Sequence, residues 1–125
     1  MGGSETVLLV EDEDPVREVS ALLLKTLGYR VVQAANAEEA LHRFDAAEET
    51  IDLLMTDVVM PGRNGCELAE ILRARDAGLK VLFQSGYTGD TVVRRGILNA
   101  EMAFLKKPFT LDALARKVRE VLDGR

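Results

Sequence analysis

Ionisable and hydroxyl side chains follow four of the apolar runs of this chain, at the point where each run ends. Glu11 and Asp12 follow the run TVLLV, and Asp57 follows IDLLMT. Ser85 follows KVLFQ, and Lys107 follows MAFLK. A carboxylate at the end of a buried strand is costly unless a cation or hydrogen-bond donors compensate its charge. These five side chains could supply that compensation to one another if the fold brings them together.

Three of these groups are carboxylates, and their combination favours a hard divalent cation. Held close together, Glu11, Asp12 and Asp57 would strongly disfavour joint ionisation. Mg²⁺ relieves such a conflict, since it prefers one or two carboxylates together with waters and a phosphate oxygen. With Lys107 and Ser85 available to bind phosphoryl oxygens, Asp57 is free to act as a nucleophile. Because phosphoryl transfer requires mainly positioning and charge neutralisation, the pattern predicts an acyl phosphate on Asp57.

The acidic stretch EDED also has a simpler interpretation, a solvated turn that favours the start of the next helix. That interpretation accounts for Asp14, which is a suitable helix cap. It does not account for Glu11 and Asp12, because both directly follow a buried strand and would face Asp57 across the sheet. The metal-binding interpretation is therefore the stronger one.

The apolar runs predict five strands that alternate with helices. Each run has about the length of a strand and is rich in Val, Leu, Ile or Phe, as in strands that are covered on both faces. The predicted strands are 6–10, 29–34, 51–56, 80–84 and 102–106. The alternation predicts parallel strands, right-handed crossovers and helices on both faces, that is, an α/β fold of the open doubly wound (βα)5 type. In such sheets ligands bind beyond the carboxyl ends of the strands, where the acidic groups collect.

Apolar residues at helical spacing fill the intervals between the strands and follow the last one. The first predicted helix has Asp14 as its N-cap and Pro15 as its first residue, and it stops at Gly28. The fourth rests on a weaker apolar pattern over 92–97. Thr110 is the predicted cap of the fifth.

Composition and charge exclude several classes of protein. The 125 residues suit one domain, and no apolar run approaches the roughly 20 residues that span a bilayer. A net charge of −5 argues against non-specific binding of nucleic acid. With one cysteine and one histidine, zinc-finger and histidine-triad chemistry are excluded and a reducing compartment is expected. We interpret Cys66 as a packed residue and His42 as a solvated one.

Four motifs together resemble the receiver domain of two-component response regulators. They are LLVEDED, DLLMTDVVMPGRNG, VLFQSGYT and FLKKPF, in the order and at the spacing of that family. The similarity covers residues 6–122; residues 1–5 are interpreted as a flexible lead-in or an expression remnant, and 123–125 as a C-terminal tail. The resemblance implies a flavodoxin-like fold with strand order 2-1-3-4-5. The string QSGYTGD also resembles receivers of hybrid sensor kinases, so an excised receiver and a free-standing regulator both remain open.

The resemblance implies a role for each candidate residue. Asp57 would accept a phosphoryl group from the phosphohistidine of a sensor histidine kinase or a histidine phosphotransfer protein. Ser85 and Lys107 would bind phosphoryl oxygens. The ligands of Mg²⁺, or of Mn²⁺ in its place, would be Glu11, Asp12, Asp57 and the backbone carbonyl of Val59.

Three further positions are implied to tune the response. Phe104 stands where the family often has an aromatic switch residue that turns inward when Ser85 moves. Because Phe lacks the hydroxyl of the commoner Tyr, an ordinary core role for Phe104 is equally open. Val59 and Tyr87 would set the lifetime of the phosphorylated state. Neither side chain offers a carboxamide or carboxylate to orient an attacking water, so we expect slow intrinsic dephosphorylation.

The expected output is a population shift in the face formed by the predicted fourth helix, fifth strand and fifth helix. That face comprises 90–98, 103–106 and 110–122. We expect a cytoplasmic protein that is a monomer or a weak dimer through this face, that binds neither nucleic acid nor membrane, and that is not a turnover enzyme.

Three alternatives share parts of this pattern. An aspartyl phosphatase of the haloacid dehalogenase type carries a second acid two residues after the nucleophile, and Val59 stands there. An FMN carrier with this fold needs a phosphate-binding loop after the first strand, where the acidic EDEDP would repel phosphate. A receiver-like docking module that acts without phosphorylation would be expected to lack Asp57, the acid pair or Lys107, and none of these is missing.

Overall fold

A computed structural model of the chain describes residues 2–60, 62–86 and 102–124. The strands are β1 (Thr6–Val10), β2 (Arg30–Ala34), β3 (Leu53–Asp57), β4 (Lys80–Ser85) and β5 (Phe104–Lys106). They form one parallel sheet in the order β2-β1-β3-β4-β5. The predicted (βα)5 architecture and the strand order 2-1-3-4-5 are confirmed.

Four helices connect or follow these strands in the described residues. They are α1 (Asp14–Thr26), α2 (Ala37–Ala46), α3 (Gly65–Arg75) and the C-terminal helix (Leu111–Asp123). Asn36 and Asn64 cap α2 and α3, and Thr110 caps the C-terminal helix as predicted, each by accepting a backbone N–H from three residues ahead. The predicted fourth helix, together with Tyr87 and residues 90–98, lies outside the described residues. No described helix has the length and apolar character that a membrane crossing requires.

The start of α1 corrects the prediction that Asp14 is its N-cap. Glu13 occupies the N-cap position, and its side chain makes no capping hydrogen bond. Asp14 is the first residue of the helix, and its carboxylate accepts a hydrogen bond from Arg17 Nη2 at 2.6 Å. Arg17, one turn further along the helix, thus binds the carboxylate of Asp14, which the prediction had paired with backbone N–H groups. The predicted stop is confirmed, since Gly28 follows the helix with a φ of 98°.

Several strand bounds differ from the predicted ones by one or two residues. In β3 both bounds differ, because Ile51 and Asp52 precede the strand and Asp57 is its last residue. Asp52 Oδ2 accepts a hydrogen bond from the backbone N–H of Thr6 at 2.9 Å, so its side chain takes part in the entry of β1. Because Asp57 belongs to the strand, its position is set by the backbone ladder of the sheet.

Apolar side chains pack on both faces of the sheet. On the α1 face, the buried cluster joins strand residues to α1 and the C-terminal helix: Val7, Leu9, Ala21, Leu24, Tyr29, Leu53, Met55, Leu82, Leu114 and Val118. On the α2 face, strand residues such as Leu8, Leu54 and Phe83 pack with Ala40, Leu68 and Leu72. Every residue of β1 and β3 is buried, as expected for central strands of a doubly wound sheet.

An ion-pair network joins the two ends of the described chain. Arg119, on the C-terminal helix, contacts Glu5 Oε2 at 2.6 Å, Asp123 Oδ1 at 2.8 Å and the carbonyl of Gly2 at 2.9 Å. The N–H of Gly3 donates to the carbonyl of Leu27 at 3.2 Å. Residues 2–5 therefore lie against the turn after α1 and against the C-terminal helix.

Candidate functional site

Strand alternation directs three of the predicted residues to the α1 face of the sheet. Glu11 is two residues beyond Leu9, Asp57 is two beyond Met55, and Lys107 is two beyond Leu105. Each pair shares one face because side chains alternate along a strand. The hydrogen-bond ladder between β1 and β2 extends to Glu11, whose N–H donates to the carbonyl of Ala34 at 3.1 Å. The alternation of side chains therefore holds as far as Glu11. On the other side of the site, the N–H of Lys107 donates to the carbonyl of Ser85 at 2.7 Å.

Lys107 joins the two buried carboxylates. Its Nζ lies 2.6 Å from Glu11 Oε1 and 2.7 Å from Asp57 Oδ1. The side chains of Glu11 and Asp57 are 0% and 6% exposed, whereas that of Lys107 is 18% exposed. One ammonium thus serves two carboxyl groups in a place that water scarcely reaches. The second oxygen of Glu11 accepts the N–H of Glu13 at 3.2 Å.

The proximity of the two carboxyls moves their pKa values in opposite directions. Burial, together with the hydrogen bond to Glu11, raises the pKa of Asp57 to about 8. Burial also acts to raise the pKa of Glu11, but the hydrogen bonds with Asp57 and Lys107 outweigh it and leave this pKa below its usual value. Burial acts to lower the pKa of Lys107, and the hydrogen bonds to Asp57 and Glu11 raise it above its usual value. Lys107 does not offset this burial, and the pKa of Asp57 therefore stays far above its usual value.

Asp12 completes a set of oxygen donors that fits a divalent cation. One carboxylate oxygen from each of Glu11, Asp12 and Asp57 lies within 4.8 Å of the others. Asp12 is exposed while the other two are buried, so the set opens to solvent on one side. Hard oxygen donors with room for waters are the environment that Mg²⁺ prefers. Val59, the predicted carbonyl ligand, has an exposed side chain in the turn after β3.

Ser85 and Phe104 lie on the other side of the sheet plane. Phe83 pairs in register with Phe104, and Ser85 pairs with Lys106, so Ser85 and Phe104 are diagonal neighbours on one face. Ser85 is buried at the end of β4, and Phe104 is half-buried against the cluster on the α2 face. The structure thus places the predicted switch pair side by side but on the face opposite to Asp57.

Two residues that the sequence analysis did not select support the site. Arg17 Nη1 donates to the carbonyl of Glu11 at 2.8 Å, and its side chain is only 16% exposed. Gly65 begins α3, and a Cβ on it would lie 2.1 Å from the carbonyl oxygen of Asp57. Arg17 looked like an ordinary charged residue of an amphipathic helix, and only the fold reveals its contact. Gly65 follows an asparagine in a turn, and no pattern in the sequence indicated this close approach.

A third residue, Gln84, is marked in the sequence by its polarity. It interrupts the apolar run KVLFQ at a position that alternation assigns to the α1 face. In the structure Gln84 is completely buried, in register with Asp57 on β3. A polar residue at such a position requires hydrogen-bond partners.

Comparison with known proteins identifies the family of this chain. Residues 7–119 match the response regulator receiver domain. The chain belongs to this family. The resemblance that the four motifs indicated is therefore confirmed, and with it the assignment to two-component signalling.

Relatives of this receiver domain occur both inside larger chains and alone. The sensor kinase CckA of Brucella abortus is 42% identical over 123 residues, which are 98% of this chain but 13% of CckA. The response regulator receiver protein CpdR of Brucella abortus is 32% identical over 116 residues, which are 93% of this chain and 95% of CpdR. The crystal structure of the receiver domain from the hybrid histidine kinase CckA matches with a TM-score of 0.77 and 40% identity, covering 94% of this chain and 98% of that one.

Proposed function

We propose that this receiver domain takes a phosphoryl group from a partner phosphohistidine onto Asp57, in a reaction that depends on Mg²⁺. The observation that carries this proposal is the contact of one lysine with two buried carboxyls beside a third acid. Such a site can bind a cation and a phosphoryl group together and leave Asp57 as the nucleophile. Glu11, Asp12, Asp57 and the carbonyl of Val59 would hold the ion, and Mn²⁺ would serve in its place.

In the proposed transfer, a carboxylate oxygen of Asp57 forms the new bond to phosphorus. The phosphorus–nitrogen bond to the donor histidine breaks, and its electron pair stays on the imidazole. Lys107 and the Ser85 hydroxyl would bind phosphoryl oxygens during this step, which suits the position of both groups at the carboxyl end of the sheet. Bound Mg²⁺ would neutralise charge on the phosphoryl oxygens and on the acid cluster. Each domain would accept one phosphoryl group and keep it on Asp57. We therefore propose a signalling role and not that of a turnover enzyme.

An apolar cleft beside Lys107 suits the approach of a protein phosphodonor. It has a volume of about 610 Å³ and lies between α1 and the turn after β5, with Val16, Val19 and Phe109 in its walls. Leu22, on the same helix, is 64% exposed. The similarity to a sensor kinase and to a lone receiver protein supports a histidine kinase or a histidine phosphotransfer protein as the partner. These partners imply a cytoplasmic location.

The output we propose is a population shift that begins at Ser85 and Phe104. Capture of a phosphoryl oxygen by Ser85 would draw its side chain toward Asp57 and open space next to Phe104, its diagonal neighbour. The affected face would include β5, the C-terminal helix and residues 90–98 of the predicted fourth helix. The domain would be a monomer or a weak dimer through this face. The alternative is a docking module that acts without phosphorylation.

The test of the proposed function is the intact mass after incubation with Mg²⁺ and acetyl phosphate. We expect the mass to increase by one phosphoryl group in the native protein. The increase should disappear in Asp57→Asn and in a sample with excess chelator. A folded protein that binds Mg²⁺ but gains no mass would refute phosphoacceptor function and favour the docking module.

A further inference from the structure

Gln84 is a buried polar residue that the proposed phosphotransfer does not use. Its exposed fraction is 0%, and within the described residues neither Nε2 nor Oε1 has a hydrogen-bond partner. A carboxamide has two donors and two acceptor sites, so its burial without partners is unfavourable. An apolar side chain of the same size would fit this place with less cost. The unpaired amide therefore points to a partner that becomes available in another state of the protein.

The position of Gln84 in the sheet limits what that partner can be. Gln84 pairs in register with Asp57 on β3 and with Leu105 on β5. Leu105 is two residues before Lys107 in the chain. All of these side chains are directed to the α1 face, because alternation places Gln84 with Leu82 and Lys107 with Leu105. Neighbouring strands are about 4.8 Å apart, a distance that a glutamine side chain spans. Asp57 and Lys107 are therefore the polar residues that the two neighbouring strands and their ends direct to the face of Gln84.

Phosphorylation changes what these two neighbours offer. The ammonium of Lys107 has three N–H groups. In the structure it contacts Glu11 Oε1 and Asp57 Oδ1. Transfer of a phosphoryl group turns the Asp57 carboxylate into an acyl phosphate, and the new phosphoryl oxygens draw Lys107 out of its contact with Asp57 Oδ1. The carbonyl oxygen of Asp57 can then accept from Gln84 Nε2, and the remaining N–H of the moved Lys107 can donate to Gln84 Oε1.

We propose that Gln84 is a positioning residue whose carboxamide pairs with Asp57 and Lys107 only after Asp57 is phosphorylated. Its hydrogen bonds are then formed in the phosphorylated state and absent in the other, so Gln84 shifts the equilibrium toward the phosphorylated arrangement. This inference rests on the proposed function of Asp57. The competing explanation is a buried water that satisfies Gln84 equally in both states.

The test compares binding of beryllium trifluoride with Mg²⁺, a stable substitute for the phosphoryl group, in the native protein and in Gln84→Met. Methionine keeps the length of the side chain and removes its polar groups. We expect Gln84→Met to raise the melting temperature of the ligand-free protein and to weaken apparent beryllium trifluoride binding by about tenfold. Leu82→Met is the matched control, because Leu82 is buried on the same strand and face. This control should leave the binding within about twofold of the native value.

A second measurement does not depend on how well the variants fold. In the native protein, the side-chain NH₂ protons of Gln84 should exchange with solvent more slowly after beryllium trifluoride is added, as observed by ¹⁵N–¹H NMR. Equal binding by Gln84→Met and the native protein, or unchanged NH₂ exchange, would overturn the proposal and favour the buried water. If the native protein gains no mass with acetyl phosphate, the proposed function itself fails, and that result is distinct from a failure of Gln84 alone.

Discussion

Two ion-pair clusters lie at opposite ends of the sheet, and they differ in how well their charges are matched. At the amino ends of the strands, Arg119 serves Glu5 and Asp123 with a guanidinium that has five N–H donors. These three side chains are 26%, 28% and 31% exposed, so water satisfies what remains. At the carboxyl ends, Lys107 serves Glu11 and Asp57 where both carboxyls are almost fully buried.

The difference lies in how fully the charges of each cluster are matched by partners or solvent. Around Arg119 every charge has a partner or solvent, and the cluster holds residues 2–5 to the C-terminal helix. Around Lys107, two buried carboxyls share one cation, Asp57 has a strongly raised pKa, and Gln84 has no partner within the described part of the chain. A cation and a phosphoryl group would relieve each of these costs. On the proposed function, the carboxyl-end cluster gives up stability in the free protein to gain affinity for a cation and a phosphoryl group.

Removal of the central cation should separate the two clusters most clearly. Lys107→Met leaves two buried carboxyls without a counter-charge, and we expect a loss of about 3 kcal/mol in the free energy of unfolding together with loss of phosphorylation. Arg119→Met removes a partly exposed ion pair, and we expect a loss of about 1 kcal/mol with phosphorylation retained. Urea unfolding measures the first quantity, and intact mass after acetyl phosphate treatment measures the second. Equal losses of stability in the two variants would show that burial does not distinguish the clusters.

The sequence alone predicted the members of the carboxyl-end cluster because two simple rules govern their position. Parallel strands bring their carboxyl ends to one edge of the sheet, and alternation then directs Glu11, Asp57 and Lys107 to one face. Both rules depend only on the order of apolar runs along the chain. The cap of the C-terminal helix at Thr110 follows from an equally local pattern. The strand order, in contrast, was implied by the family resemblance.

What the sequence could not predict depends on contacts that only the folded chain defines. Aspartate is a residue type common at N-caps, yet Arg17 binds the Asp14 carboxylate and Glu13 takes the cap position. The contact of Arg17 with the carbonyl of Glu11 depends on the exact path of the turn between β1 and α1. The polarity of Gln84 was visible in the sequence, but its lack of partners appears only when β3, β4 and β5 are placed together.

A pH titration without metal should sharpen the contrast further. The pKa of Asp57 is raised from 3.8 to about 8 in the folded protein, so the folded state holds this proton more tightly than the unfolded state. The stabilisation from that proton is complete below about pH 4 and is lost as the pH rises toward 8. Asp57→Asn has no such proton to lose. We therefore expect its melting temperature, in chelator, to exceed that of the native protein by roughly 5 °C near pH 8 and by much less near pH 5.

The controls for this titration use the same variant and the second cluster. The pKa of Glu11 lies below its usual value, so this carboxyl does not titrate between pH 5 and pH 8. Added Mg²⁺ should reverse the order of the two melting temperatures, because the ion requires the Asp57 carboxylate. Arg119→Met should run parallel to the native protein across this range. A difference between Asp57→Asn and the native protein that stays constant with pH would contradict the raised pKa of Asp57.

The smallest expected effect concerns a residue that borders the carboxyl-end cluster without belonging to it. Val59 is 57% exposed, so its substitution should leave the free energy of unfolding unchanged within about 0.5 kcal/mol. Val59→Asn places a carboxamide where it can orient a water toward the acyl phosphate, and we expect severalfold faster loss of the phosphoryl group. Val59→Ala is the matched control, because it removes the apolar shield without adding a polar group. Faster decay in both variants would attribute the lifetime to shielding, faster decay in Val59→Asn alone would attribute it to the missing carboxamide, and no acceleration in either would contradict a role for Val59.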